Sequence, residues 1–108
     1  MESLKKNQDF KKVYKYGKSY ANKYFIMYVQ PNDLDKMRLG ISVSKKVGNS
    51  IVRHRVKRLV REVVRLHENI FNSSLDIVVV SRITAASVNY KETESAILHL
   101  GKLHHIIS

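Results

Sequence analysis

Residues 44–65 read SKKVGNSIVRHRVKRLVREVVR. Gly48-Asn49-Ser50 interrupts an alternating strand pattern and supplies a cap, so the spacing predicts a helix from about Ile51 to Glu68. At about 100° per residue, Val52, Val56, Leu59, Val60, Val63 and Leu66 share an arc of roughly 120°. Arg53, His54, Lys57, Arg58, Arg61 and Arg65 share a separate arc of roughly 140°. One face can dock on a sheet while the other presents positive charge, and Lys45 and Lys46 extend that charge ahead of the helix. On an ordinary solvated helix the i, i+4 partners alternate in sign. Here Arg53, Lys57, Arg61 and Arg65 repeat one sign and only Glu62 interrupts, so the array is self-repelling unless an external anion compensates it.

The whole chain of 108 residues carries 20 Lys+Arg against 9 Asp+Glu, a formal charge of +11. Residues 1–65 hold 17 basic and 5 acidic residues, whereas 66–108 hold 3 and 4, so the excess is localised. Localised charge on a folded domain attracts polyanions at range, which makes nucleic acid the leading partner. An anionic membrane would want Trp, Phe or Leu on the apolar side of an amphipathic helix, and this helix offers mostly valine. Arginine's planar fork binds phosphate oxygens in pairs or stacks on a base. A DNA recognition helix normally follows another helix across a short turn, but strands precede this one, so structured RNA, read by shape and phosphate, is the better fit.

Outward from this helix, Asn7 can cap a short helix to about Tyr16, with Gly17 as its stop. A brief strand near Ser19 to Ala21 precedes a strand at Phe25 to Gln30. Pro31-Asn32-Asp33 opens a turn, and Arg38 to Ser44 alternates, which together predict a hairpin with a long loop. Ile77 to Val80 is continuously apolar, as in a central strand covered on both faces beside a parallel neighbour. Asn89 and Glu92 form a capping box for a last helix striped by Ala96, Ile97, Leu100 and Leu103. The expected fold is α+β: a single sheet with helices, in the order α-β-β-β-α-β-α, forming one domain over residues 1–108. With no cysteine, no apolar leader and a longest hydrophobic run of six residues, Tyr24 to Val29, a cytoplasmic protein is expected.

Phe10 and Tyr14 share a face of the first helix, with Tyr28 on the adjoining strand, so the three could line a shallow groove beside Lys11, Lys15 and Lys18. Bases stack on such rings at about 1–3 kcal/mol each without regard to sequence. Aromatics at helical spacing also serve as ordinary core, and the pattern leaves both uses open. A protein-borne active site is not indicated. His104 and His105 fall near the end of the chain, where fraying is expected, His99 lies near the end of the last helix, and His54 lies on the basic face. No HExxH, paired carboxylate or phosphate-cradling glycine loop is present, and the nine acids form no metal-binding cluster.

The run Ser44 to Arg65 resembles the signature segment of the bacterial ribonuclease P protein component, the small basic subunit of the ribonucleoprotein that trims the 5′ leader from precursor tRNA. The likeness extends upstream through LKKNQDFKKVYKYGKSYANKYFIMYV and downstream to DIVVVSR. Where the family has Arg-Asn-Arg, this chain has Arg53-His54-Arg55. The resemblance implies a left-handed β-α-β crossover through the basic helix, against the usual right-handed preference. It implies that Lys45, Lys46, Arg53, His54, Arg55, Lys57, Arg58, Arg61 and Arg65 face the catalytic RNA. It further implies that Phe10, Tyr14, Tyr28, Lys11, Lys15 and Lys18 receive the leader. The catalytic groups are then expected in the ribonuclease P RNA and its magnesium, with no cofactor on the protein itself and no membrane partner. A structural RNA-binding protein of the ribosomal type and a protein-only ribonuclease are the competing readings.

Overall fold

In the structure, a computed structural model describing residues 1–108, the run Ile77 to Val80 occupies the middle of a five-stranded sheet. The elements follow as β1 (Glu2–Ser3), α1 (Asn7–Tyr16), β2 (Lys18–Ala21), β3 (Phe25–Pro31), β4 (Arg38–Ser42), α2 (Ser50–Leu66), β5 (Leu75–Ser81) and α3 (Tyr90–Leu103). Short 3-10 turns at Glu68–Ile70 and Ile83–Ser87 flank β5. This is the expected α+β succession with one two-residue strand added at the front.

Strand order is β1-β4-β5-β3-β2. β5 runs parallel to β4 and antiparallel to β3, so α2 crosses between adjacent parallel strands. The sheet buries both faces at its centre. Ile77 and Val79 join Phe25, Met27, Val29 and Leu39 in a core shared with α2 and α3, while Val78 joins Leu4 and Val13 beneath α1. A continuously apolar strand is favoured here because both pleat directions meet helices, and each fully buried Val or Ile contributes about 1.5–3 kcal/mol.

The expected hairpin between residues 25–30 and 38–44 does not form, because β5 lies between its two arms. Two strand spacings, roughly 10 Å, separate β3 from β4, and the loop over residues 32–37 is long enough to cross the end of β5. Asn32 anchors that crossing: its N–H donates to the Ser74 carbonyl at 2.9 Å and its amide to Asp76 Oδ1 at 2.8 Å. Asp76 also receives the Arg38 fork, Nε at 2.8 Å and Nη2 at 2.7 Å, which locks β4 to β5 in register.

Other local expectations shift as well. Lys6 rather than Asn7 is the N-cap of α1, and it makes no side-chain cap bond. Gly17 ends α1 at φ −75°, so its role is not the left-handed conformation. A Cβ there would lie 2.5 Å from the Val13 carbonyl oxygen, and glycine permits that approach. In α2 the buried residues are Val56, Val60, Val63 and Val64, whereas Leu66 is 53% exposed. The dry face is rotated from the one the periodicity suggests, because α2 is wedged between the sheet and α3. The Asn89 and Glu92 capping box is present as expected.

The chain end is not frayed. Asn72 N–H donates to the Ile106 carbonyl, Ser108 N–H to Ile70, and buried Ile106 seals the core. His104 packs edge-on against Tyr20 at 4.7 Å and places Nε2 2.8 Å from the Met27 carbonyl. No helix is long and apolar enough to cross a membrane.

Candidate nucleic-acid interface

The loop before α2 is pinned by buried Val47, which leaves Lys45 and Lys46 exposed. Asn49 then caps the helix by accepting from Val52 N–H at 3.0 Å. From this start α2 turns His54, Arg58, Arg61 and Arg65 outward, with Arg53 and Lys57 half-buried along the same flank. Arg65 pairs with Glu62 at 2.6 Å, which holds the Glu62 carboxyl below its usual range through the hydrogen bond from Arg65. Arg53, Lys57, Arg58 and Arg61 enter no ion pair with the chain's own carboxylates.

Arg53 adds a sharper detail. Its Nε is buried and has no hydrogen-bond acceptor, beside a small concavity of about 80 Å³ lined by Ser50, Arg53, His54 and Lys57. A buried donor left unpaired is costly, and no acceptor within the chain offsets that cost here. His54 lines this concavity at the position where the resemblance places an asparagine.

Arg55 behaves differently from its neighbours. Its guanidinium donates to the backbone carbonyls of Val88 and, at 3.4 Å, Ala86, tying α2 to the 3-10 turn before α3. A helix places residues 53 and 55 about 200° apart, so both cannot share one solvent face. The structure therefore separates Arg55 from the outward row with which the sequence motif groups it.

The aromatic residues do converge. Tyr14 meets Tyr28 edge-on at 4.9 Å, and Phe10 lies 6.4 Å from Tyr14. A groove of about 410 Å³ runs beside them, walled by Phe10, Lys11 and Tyr14 of α1, by Ile41, Ser42 and Val43 at the end of β4, and by Lys57 of α2. Tyr28 is half-buried behind Tyr14 and contributes as support for that ring. Lys15 and Lys18 lie outside the groove walls, their ammonium groups 5.3 Å from the Tyr16 ring and 5.1 Å from the Tyr20 ring. Pattern reading missed the β4 wall, although Gly40 in the middle of a strand is a signal of close approach. It also missed that Lys57 borders both the groove and the Arg53 concavity.

No group of three or more His, Asp or Glu side chains is placed to hold a metal ion. The surface offers cations, aromatic faces and hydrogen-bond donors, the groups that suit an RNA.

Comparison with known proteins places the chain in a family. The family profile described as Ribonuclease P matches residues 1–104. The chain is 62% identical over 107 residues to the ribonuclease P protein component of Lachnoclostridium phytofermentans, spanning 99% of this chain and 92% of the relative. It is 52% identical to that of Alkaliphilus metalliredigens, over 97% of this chain and 95% of the relative. Among solved structures, the Staphylococcus aureus RNase P protein superposes with a TM-score of 0.92 at 36% identity, covering 100% of this chain and 99% of that one. The Thermotoga maritima protein gives 0.85 at 34% identity, over 93% and 94%. A ribosomal-type role is not favoured by these matches. The chain belongs to the ribonuclease P protein family, whose members are the protein component of a bacterial endoribonuclease that processes the 5′ end of tRNA.

Proposed function

We propose that this chain positions substrate while the ribonuclease P RNA, with magnesium, performs the cleavage. The observation that carries the proposal is the α2 row, in which Arg53, Lys57, Arg58 and Arg61 have no internal carboxylate partner. In this reading the row, with Lys45, Lys46 and His54, lies on phosphates of the catalytic RNA. The groove beside Phe10 and Tyr14 takes the single-stranded leader of precursor tRNA, with Lys11 near its phosphates. Lys15 and Lys18 would meet leader nucleotides beyond the groove, and Tyr28 would hold Tyr14 in place. Arg55 would orient α2 from behind. Neutralising phosphate repulsion lets magnesium and substrate bind the RNA more tightly, and holding the leader converts an encounter into a fixed geometry. The site of this work would be the cytoplasm, by the same family membership.

Reconstitution tests the proposal. The purified chain is mixed with ribonuclease P RNA and precursor tRNA at low magnesium. Cleavage that neither component supports alone is expected. Cleavage by the protein unaided, or binding that never stimulates the RNA, would overturn it.

A further inference from the structure

A second groove, of about 420 Å³, opens at the opposite edge of the molecule, between the β2–β3 turn and α3. Lys23 and Tyr24 of the turn face Lys91, Ser95 and His99 of α3 across it. It lies on the sheet face away from α1 and on the flank of α3 away from α2, so neither the leader groove nor the arginine row reaches it.

The groove is pre-formed. The Asn22 side-chain oxygen accepts from Tyr24 N–H and Phe25 N–H, and its amide donates to the Ala96 carbonyl at 2.9 Å. Arg82 donates to the Asn22 carbonyl and Thr84 to that of Lys23. Because Asn22 Nδ2 can only donate, the His99 Nδ1 lying 3.3 Å away acts as acceptor, leaving Nε2–H as a free donor. Glu92, the only acid present, is used internally: Oε1 accepts from Asn89 N–H and Oε2 from the Tyr24 hydroxyl at 3.0 Å. Lys23 and Lys91 form no ion pair. Two ammonium groups without a carboxylate partner, that of Lys23 standing 5.3 Å over the Tyr24 ring, together with an imidazole N–H and a tyrosine ring held rigid, suit a nucleotide unit, a flat base with phosphates on either side.

We propose that this groove is a second RNA-binding site, in which a base stacks on Tyr24 while flanking phosphates meet Lys23, Lys91 and the His99 N–H. The inference rests on the reading that the chain partners ribonuclease P RNA. A second anchor across the molecule from α2 would fix the protein's orientation on an RNA, which a single basic helix leaves free to pivot.

The test measures affinity of the full chain for ribonuclease P RNA across a salt series, comparing wild type with Lys23→Ala/Lys91→Ala and, separately, Arg58→Ala. Both lysines are exposed and unpaired, so the double variant is expected to keep the wild-type unfolding midpoint. The log–log salt slope should become shallower by about 1.4 to 1.8 when two phosphates are no longer neutralised. Acetylation of Lys23 and Lys91 provides an independent readout. Protection by ribonuclease P RNA alone assigns the groove to the ribozyme, and protection only after precursor tRNA is added assigns it to substrate. An unchanged slope with both lysines fully reactive in the complete holoenzyme overturns the inference. If Arg58→Ala changes the slope in that case, the inference alone fails; if it does not, the reading of α2 fails with it.

Discussion

The ring of Phe10 occupies the space that any side chain at position 40 would need, its Cζ 2.6 Å from where a Cβ on Gly40 would stand. This contact seats α1 against β4 and sets the depth of the groove that Phe10 and Tyr14 border. Gly40→Ala must displace the ring, and overpacking of this kind costs about 1–3 kcal/mol. A lower denaturant midpoint is expected, together with weaker binding of precursor tRNA relative to tRNA lacking a leader. Wild-type values for both would show that Phe10 can move aside without consequence.

The arginines of α2 should divide by role. Arg58→Ala is expected to weaken affinity for ribonuclease P RNA and to reduce the salt slope by about 0.7 to 0.9, the change that follows when one phosphate goes without its cation. Arg55→Ala removes charge-assisted bonds to the Val88 and Ala86 carbonyls, so its main effect should be on folding, about 1.5–3 kcal/mol. Salt titrations and urea melts of both variants check this division. A salt slope lowered equally by the two would return Arg55 to the RNA-facing row.

Tyr28 supports Tyr14 edge-on, and a stacked base is typically worth about 1–3 kcal/mol. Tyr28→Ala should therefore weaken precursor tRNA binding by roughly five-fold or more through slackening of Tyr14, with a smaller loss for leaderless tRNA. Matched losses on the two RNAs would mean that Tyr28 is packing alone.

Acidification should destabilise the fold in two stages. Burial lowers the pKa of His104 below its ordinary 6.5, so the unfolded chain binds this proton more readily. Stability from His104 is present above about pH 6.5 and declines as pH falls below that value. For Asp76, burial alone would raise the carboxyl, but the Arg38 fork and the Asn32 amide more than offset it and leave it below the ordinary 3.8. Its contribution persists above that value and is lost as pH falls through the folded-state range. Urea midpoints measured from pH 7 downward should drop first in the mildly acidic range. His104→Gln, which keeps a donor for the Met27 carbonyl, should flatten that first drop, and a slope it leaves unaltered would assign the titration elsewhere. Asp76→Asn should cost about 3 kcal/mol at neutral pH by leaving Arg38 with only the more distant Asp9 carboxylate, 3.9 Å away.

Much of the interface was legible before any tertiary contact. The recurrence of arginine and lysine every three to four residues from Arg53 is a property of one helix, as is the capping box at Asn89 and Glu92. The apolar run Ile77 to Val80 likewise announced a strand buried on both sides. These signals are local, because helix and strand periods place a residue's neighbours within a few positions of it. Strand neighbours carry no such period. β3 and β4 look like a hairpin in sequence, and only the burial achieved by inserting β5 between them, together with the Asp76, Arg38 and Asn32 bonds, decides otherwise. The outer residues followed the same division: the resemblance grouped Arg55 with Arg53, helical spacing left it outside the charged arc, and packing turned its fork onto the Val88 carbonyl. The groove beside Phe10 and Tyr14 needs walls from α1, β4 and α2 at once, and Lys57 borders it only because α2 packs beside β4. By itself the sequence determined which elements form and that α2 carries a charged side and an apolar side. Tertiary structure alone decided which of those elements meet, because contacts between distant segments depend on the packing of the whole chain and on no repeat within it.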